Sequence, residues 1–314
     1  MIYTIYQILR TARPRQWLKN LSIFAAPIFA GTLFADHKFP LLIQAFFAFC
    51  LLSSGAYFLN DIIDAPKDKQ HPVKKNRPIA SGKLSLTLAW VMVFVLIPTS
   101  IIYSALFVGT YFTIALILYI LVQLSYSLYF RNVIILDSLI VASGFVIRVF
   151  AGGFASNTSI SSWLALTTIG ISMLLAFGKR RSEKTILAKY SDTNGRQVTR
   201  ETLKHYPDSL LDIMISMSAT YTIITYSLFA FQISPQGVNK VIAEFLPSIL
   251  KGPKWIMLSI PLVIYGVARY LYVIYEKEEG ESPERVLLSD RALLTVVLIW
   301  GAFVLSVIYL FKNS

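Results

Sequence analysis

The sequence predicts an all-α integral membrane protein with nine transmembrane helices. Three observations support this fold class. The 314-residue chain is 55% hydrophobic and only 15% charged, with a mean hydropathy of +0.61, which is too apolar for a soluble protein of this length. Nine apolar stretches are long enough to be spans, and the basic residues are divided unequally between the segments that join them. We expect one polytopic domain over residues 1–314.

The nine stretches follow one another along the chain with short connections, and the sixth is the shortest. They lie at residues 17–34, 39–59, 86–106, 109–130, 133–151, 163–177, 213–231, 255–275 and 292–311. The two longest connections at the same membrane side are expected to be loops, at 60–85 and 178–212.

The basic residues indicate orientation rather than a nucleic-acid partner. The chain has 29 Lys and Arg against 17 Asp and Glu, a net charge of +12. In the nine-span arrangement 22 of the basic residues lie on one side of the membrane and five on the other. Cytoplasmic segments carry such an excess, so the N-terminus is predicted to be cytoplasmic and the C-terminus external. We expect contact with the lipid bilayer and no nucleic acid.

Three carboxylates follow the second span. Asp61, Asp64 and Asp68 have the spacing i, i+3 and i+7, so in a helix they lie within roughly 60° of one another. Such carboxylates repel unless a cation lies among them, and an oxygen-only ligand set favours Mg²⁺. Five basic residues follow between Lys67 and Arg77, which indicates an adjoining phosphate site. Solvated charge pairing is the alternative interpretation.

A second basic segment begins at the end of the sixth span. Lys179, Arg180, Arg181 and Lys184 are four cations within six residues. They could bind anionic lipid headgroups. They could equally hold phosphate, with Arg as a bidentate donor and Lys as a point charge.

Residues 60–68 read N-D-x-x-D-x-x-x-D and resemble the first motif of the UbiA-type prenyltransferase superfamily. The resemblance implies nine helices around a central cavity that opens to the cytoplasmic side. It also implies that Asp61, Asp64 and Asp68 are the catalytic residues and the metal ligands, and that Mg²⁺ grips the diphosphate of the donor. The active site is then expected in the segments 60–85 and 178–212.

The sequence departs from that superfamily where a second Asp-rich motif is typical, because residues 179–184 are mainly basic. The segments R-P-R-Q-W-L-K-N (13–20), K-N-R-P-I-A-S-G (75–82) and G-E-S-P-E (280–284) resemble the decaprenyl-phosphate phosphoribosyltransferase branch. This resemblance implies phosphoribosyl diphosphate as donor, a polyprenyl phosphate as acceptor, and a cytoplasm-facing site in a prokaryotic inner membrane. A homo-oligomer is left open.

The same resemblance implies a set of substrate-binding residues that surround the aspartates. They are Lys19, Asn60, Lys74, Lys75, Arg77, Tyr126, Asp137, Lys179, Arg180 and Arg181. For Asp137, which starts the fifth span, a simple helix-end carboxylate is an equal alternative. Arg148, about 15 residues and roughly 22 Å from the start of that span at residue 133, is expected to have a structural partner.

Two other functions remain open at this point. A prenyltransferase that moves a prenyl chain from its diphosphate to an aromatic or other acceptor would share the fold and the first motif. It would be expected to have an acidic second segment. A transporter or channel would place polar residues near mid-membrane or show internal repeats, and neither is seen in the sequence.

Overall fold

The computed structural model describes residues 2–70, 74–194, 206–233, 254–277 and 283–310, without the side chains of 186–194, 277 and 310. Residues 71–73 and 195–205 of the two predicted site segments lie outside the described residues. Eleven α-helices are present in the described ranges. They are α1 (Ile2–Ala12), α2 (Ala25–Phe29), α3 (Lys38–Asp68), α4 (Leu86–Phe107), α5 (Thr110–Leu128), α6 (Leu136–Ala155), α7 (Ser162–Asn194), α8 (Asp208–Ile233), α9 (Ile260–Tyr272), α10 (Pro283–Ser289) and α11 (Arg291–Leu310).

Shorter helical segments of other types join or extend these helices. They are the 3₁₀ helices Pro14–Phe24, Lys74–Asn76, Phe130–Asn132 and Trp255–Ser259, and a π-helical turn at Val273–Lys277. The first of these, Pro14–Phe24, is called the N-terminal 3₁₀ helix below.

The all-α membrane architecture is confirmed. Eight helical segments of the described chain are long and apolar enough to cross a bilayer, and they correspond to the second to ninth predicted spans. Their outer faces expose large apolar side chains such as Phe94, Leu106 and Leu298, as expected for helices that contact lipid. The first predicted span, 17–34, is not a single α-helix, because it consists of the N-terminal 3₁₀ helix, the short α2 and turns.

The N-terminal 3₁₀ helix nevertheless runs antiparallel to α3 along most of its length. Arg13 contacts Asp61 near the C-terminal end of α3, and Phe24 packs against Phe46 and Phe39 near its other end. Eleven residues at about 2.0 Å each cover about 22 Å, against about 16 Å in an α-helix. The extended geometry lets a short segment follow a long helix.

Side chains and a close backbone contact hold this unusual conformation, since 3₁₀ helices longer than three or four residues are uncommon. Asn20 is fully buried, donates to Cys50 Sγ (3.2 Å) and Ser53 Oγ (3.3 Å) of α3, and accepts from Arg148 Nε of α6 (2.8 Å). A Cβ on Gly152 would lie 1.8 Å from the carbonyl oxygen of Ile23. Only glycine at this position allows the 3₁₀ backbone to touch α6.

Two segments that were expected to be loops begin as continuations of the preceding helices. α3 continues through Asp68, so the carboxylate row belongs to the helix that precedes the connection. α7 continues through Asn194, so the expectation of a loop that begins at residue 178 is wrong. The cations at 179–184 are therefore held on a helix rather than in a mobile connection.

α4 then starts at a regular cap, where Ser85 Oγ accepts from the backbone N–H of Leu88.

The site lies where two packed groups of helices meet. One core joins α3, α5 and α6 with the N-terminal 3₁₀ helix, and a second joins α7, α8, α9 and α11. α6 packs on α7 and connects the two groups, while α10 contacts the N-terminal 3₁₀ helix. The carboxylate row on α3 and the basic stretch of α7 are thereby brought to the same end of the molecule.

Candidate active site

The carboxylate row lies on the last two turns of α3, and the helical conformation on which its geometry depends is confirmed. Asp61 and Asp68 are buried, with 2% and 5% of their surface exposed, while Asp64 is partly exposed. Buried carboxylates need charged or hydrogen-bonding partners, since an isolated buried charge is strongly destabilising. The partners define the site.

Three arginines from three separate segments pair with the row. Arg13 Nη2 donates to Asp61 Oδ1 (2.5 Å), and Arg131 Nη1 donates to Asp64. Arg77 Nη1 contacts both Asp61 Oδ1 (3.1 Å) and Asp68 Oδ2 (2.6 Å). One cationic nitrogen thus bridges the two buried carboxylates.

The donor set suits a divalent cation that is shared with substrate phosphates. Carboxylate oxygens are hard ligands, and Asp61 and Asp68 already converge on a single positive atom of Arg77. Within the described ranges no three His, Cys, Asp or Glu side chains form a complete metal cage. Mg²⁺ commonly binds one or two carboxylates and completes its octahedron with phosphate oxygens and water. Asp61 and Asp68, which share one nitrogen of Arg77, fit that pattern.

Arg13 and Arg131 are site residues that the sequence prediction did not include. Arg131 lies in the short connection Phe130–Asn132 after α5, and the end of α5 is fixed to α3 because Ser127 Oγ donates to Asn60 Oδ1. Asn60, a predicted substrate ligand, is therefore engaged in helix packing. Arg13 also lies 5.1 Å from the ring centre of Tyr57. A single basic residue between two spans gives no sequence signal that separates Arg131 from a topogenic charge.

Arg180 is placed differently from the prediction. Its side chain is 1% exposed and is enclosed by Asp137 (Nε to Oδ2, 2.6 Å), Glu183 (Nη1 to Oε2, 2.7 Å) and Tyr126 (Nη2 to Oη, 2.9 Å). Both Nη atoms donate hydrogen bonds, while Nε and Asp137 Oδ2 form a close ion pair that lacks hydrogen-bond geometry. The geometry does not support Arg180 as a direct phosphate ligand, and it gives Tyr126 a role as a partner of Arg180.

Asp137 belongs to the same buried cluster. It is fully buried, and its second oxygen accepts from Tyr206 Oη (2.6 Å) and Ser138 Oγ (3.3 Å). Burial, together with this hydrogen bond to Asp137, raises the pKa of Tyr206 to about 12, so the phenol remains a donor at neutral pH. Asp137 links α6 to α7 and to Tyr206 just before α8, and these contacts do not support its predicted role in substrate binding.

Arg181 faces away from the carboxylate row. Its guanidinium pairs with Asp212 (3.0 Å) and Asp208 (3.6 Å) on α8, and Lys184 pairs with Asp208 (2.9 Å) and the carbonyl of Tyr206 (2.6 Å). These cations fasten α7 to α8. The predicted role of Arg181 in substrate binding is therefore not supported by its position.

Lys179 and Lys74 are predicted phosphate ligands that lie near both the carboxylate row of α3 and the buried cluster of Asp137, Arg180 and Glu183. These two groups are called the two charged clusters below. Lys179 Nζ is 3.9 Å from Glu183, and about a third of its side chain is exposed. Lys74 lies in the short 3₁₀ helix that follows the row, close enough to Glu183, Arg77 and Lys179 to be affected by their charges. Burial lowers the pKa of Lys74, an effect that Glu183 opposes and Arg77 reinforces. Lys75 is exposed.

Lys19 lies further along the N-terminal 3₁₀ helix and pairs with a residue that the prediction did not include. Its Nζ is 3.3 Å from Glu284 Oε2 on α10, and Gln16 donates to the other oxygen of the same carboxylate. The segments R-P-R-Q-W-L-K-N and G-E-S-P-E, far apart in sequence, therefore meet through Gln16, Lys19 and Glu284.

Arg148 has the structural partners that were expected. Its guanidinium donates to Asn20 Oδ1 (2.8 Å), Tyr119 Oη (2.8 Å) and the carbonyl of Gly144 (2.7 Å), and it stacks near the ring of Phe49. The buried charge is satisfied by hydrogen bonds and aromatic faces. Arg148 holds the N-terminal 3₁₀ helix between α3 and α6.

Comparison with known proteins gives a consistent result. Residues 24–294 match the UbiA prenyltransferase family. The chain is 30% identical over 306 residues to decaprenyl-phosphate phosphoribosyltransferase of Corynebacterium glutamicum, covering 96% of this chain and 87% of that protein. It is 31% identical to the protein of the same name from Mycolicibacterium smegmatis, covering 96% and 92%. A UbiA homolog from Archaeoglobus fulgidus, solved with GPP and Mg²⁺, shares the fold with a TM-score of 0.67 at 17% identity, covering 96% and 99%.

Proposed function

The chain belongs to the UbiA prenyltransferase family, and on that premise we propose that it transfers the 5-phosphoribosyl group from phosphoribosyl diphosphate to a polyprenyl phosphate of the decaprenyl type. The observation that carries the proposal is the identity of about 30% over nearly the whole chain to relatives that bear this activity in their names. The lipid is then the acceptor, and the diphosphate leaves from the sugar.

The charges around the carboxylate row suit such a donor. Phosphoribosyl diphosphate carries a diphosphate at C1 and a phosphate at C5, and the acceptor adds a third anionic group. Arg13, Arg77 and Arg131 come from three separate segments and pair with the row, and Lys74 lies three residues before Arg77 in the same segment. Cations positioned in advance screen the repulsion among phosphates and stabilise the departing diphosphate. If the aspartates bind Mg²⁺ that is shared with the diphosphate, the arginines that now pair with them would be available to bind phosphate oxygens.

We assign roles by position. Asp61, Asp64 and Asp68 would hold Mg²⁺ at the diphosphate, where the ion when bound supplies Lewis-acid stabilisation of the leaving group. Arg77, Arg13 and Arg131 would bind diphosphate oxygens. Lys74 and Lys179 lie between the two charged clusters and would bind the single phosphates of donor and acceptor. In the transfer the C1–O bond to diphosphate breaks and a C1–O bond to the lipid phosphate forms.

No general base is needed for this step. A phosphate monoester is already anionic at pH 7, so its oxygen is a nucleophile without loss of a proton to the protein. The residues of the chain therefore bind, orient and screen charge, which agrees with a site made of Asp, Arg and Lys.

The site lies at the C-terminal end of α3, where basic residues are also concentrated. We propose that this end of the molecule faces the cytoplasm.

Two reaction mixtures test the proposal against ordinary prenyl transfer. Purified protein with Mg²⁺ receives either phosphoribosyl diphosphate and decaprenyl phosphate, or a polyprenyl diphosphate and 4-hydroxybenzoate. Product is expected in the first mixture, as a lipid that carries phosphoribose. Product in the second mixture alone would overturn the assignment of donor and acceptor.

A further inference from the structure

Three polar side chains follow one another in a row at the start of the N-terminal 3₁₀ helix. Gln16 and Lys19 are i and i+3 within this helix, so they lie directly above one another on one face, about 6 Å apart. Arg13 caps the helix with a left-handed backbone (φ 53°), and its carbonyl oxygen accepts from the backbone N–H of Gln16 (2.8 Å). Arg13 contacts Asp61, while Gln16 and Lys19 both contact Glu284. The row leads from the proposed diphosphate site to Glu284.

Glu284 has unused hydrogen-bonding capacity in a buried position. It is 5% exposed, and an ionised carboxylate offers about four acceptor positions. Gln16 fills a position on one oxygen, and Lys19 lies 3.3 Å from the other. Oε2 has no partner in hydrogen-bond geometry among the residues that the structure describes. Buried acceptors are seldom left in this state, so a ligand with hydroxyl donors would complete the site.

A buried hydroxyl lies beside the same carboxylate. Tyr270 of α9 is 5% exposed, is close enough to Glu284 to be affected by its charge, and its Oη is without a hydrogen-bond partner in the described part of the chain. Gly178 of α7 faces this hydroxyl, because a Cβ at that position would lie 2.9 Å from Tyr270 Oη. Any side chain at position 178, the residue before Lys179, would clash with the phenol of Tyr270. Tyr270 on α9 therefore lies against α7 and within electrostatic range of Glu284 on α10.

We propose that Glu284, held by Gln16 and Lys19 and assisted by the Tyr270 hydroxyl, binds the vicinal hydroxyls of the donor ribose and selects a phosphorylated pentose as the group to be transferred. This inference rests on the proposed function and adds the part of the site that recognises the sugar. An acidic side chain that accepts from a ribose hydroxyl is a recurrent solution in nucleotide-binding proteins. A prenyl diphosphate has only hydrocarbon beyond its diphosphate, and it would leave this carboxylate unsatisfied.

The position of Glu284 agrees with the geometry of the donor. The ribose is bonded directly to the diphosphate, and Gln16 lies three residues after Arg13, in the first turn of the N-terminal 3₁₀ helix. Lys19 lies one turn beyond Gln16, and its charge compensates the carboxylate beside an anionic substrate. The row therefore runs in the order diphosphate, then sugar.

The test compares donors that differ by one hydroxyl. Initial rates are measured for wild type and Glu284→Gln with phosphoribosyl diphosphate and with its 2-deoxy and 3-deoxy analogues. Loss of a hydroxyl that bonds to a charged group is expected to lower kcat/KM of wild type about 10- to 100-fold for at least one analogue. In Glu284→Gln the rate with the full donor falls by a similar factor, and the preference over that analogue shrinks to about threefold or less. Glu276→Gln changes an exposed carboxylate and is the control that keeps the wild-type preference.

A merely structural role would lower all three rates equally and keep the preference, and that result would overturn the assignment of Glu284. Tyr270→Phe removes one buried hydroxyl and provides a second test if Glu284→Gln does not fold, with the preference again expected to shrink. Unchanged preference in every folded variant rejects the sugar site while the transfer activity of wild type stands. Absence of any transfer by wild type from phosphoribosyl diphosphate would reject the proposed function itself.

Discussion

The buried ion pairs of Arg180 predict a large loss of stability when its charge is removed. Arg180→Met removes a guanidinium that is 1% exposed and pairs with Asp137, Glu183 and Tyr126. Asp137 is itself fully buried, so the substitution leaves a carboxylate without its countercharge. Breaking a buried ion pair in this way destabilises proteins by about 3–5 kcal/mol. We expect a large loss of thermal stability in detergent, monitored by tryptophan fluorescence.

Lys179→Met provides the matched comparison, one residue away on the same helix. Its ion pair to Glu183, at 3.9 Å, is an i, i+4 contact and contributes about 0.3–0.5 kcal/mol. The stability of this variant should be close to that of wild type, while KM for the donor or the acceptor rises. The stability defect of Arg180→Met should be partly relieved by Asp137→Asn in the same chain, because the unpaired charge is then removed.

The opposite pattern would refute the reasoning. If Arg180→Met unfolds at the wild-type temperature but binds substrate poorly, then Arg180 is a phosphate ligand, as the sequence first indicated. If Lys179→Met is the less stable of the two, the positions assigned to these neighbours are wrong.

Three further predictions follow from the site and its supports. Asp61→Asn should lower Mg²⁺-dependent transfer at least 100-fold without loss of folding, measured as initial rate against Mg²⁺ concentration; a wild-type rate would reject the metal assignment. Lys74→Arg should shift the alkaline limb of the pH profile of kcat/KM for the donor to higher pH. Burial lowers the pKa of Lys74, so its positive charge is present below that pKa and is lost as the pH rises through it, whereas arginine stays protonated. An unshifted limb would exclude Lys74 as the titrating group. Gly152→Ala should destabilise the protein by at least 1–3 kcal/mol in thermal unfolding, because its Cβ would lie 1.8 Å from the carbonyl oxygen of Ile23; wild-type stability would mean that the N-terminal 3₁₀ helix is not packed there.

Much of the architecture could be predicted because the bilayer imposes it. Length and hydropathy identify eight of the segments, and the spacing of Asp61, Asp64 and Asp68 already predicts one helical face. The first span could not be predicted as a 3₁₀ helix, because its conformation depends on contacts with distant residues. Asn20 must meet Arg148, and Ile23 must meet the bare surface of Gly152.

The roles of individual cations were less predictable, for an electrostatic reason. Lys179, Arg180 and Arg181 are all basic, but each has a different environment, since successive helical residues point about 100° apart. Arg180 points into the helix packing, Arg181 points to α8, and Lys179 is partly exposed beside Glu183 of its own helix. Only the positions of Asp137 and Asp212, far away in sequence, decide which of these charges is neutralised.

The central claim is that the diphosphate leaves from the sugar and not from the lipid. The most direct test supplies phosphoribosyl diphosphate labelled at the β-phosphorus to purified protein, and measures labelled diphosphate released with and without decaprenyl phosphate. The proposed function predicts release that requires both the lipid phosphate and Mg²⁺, in step with the appearance of phosphoribosylated lipid. Release that is independent of the lipid phosphate, or no release while a polyprenyl diphosphate is consumed, would contradict it.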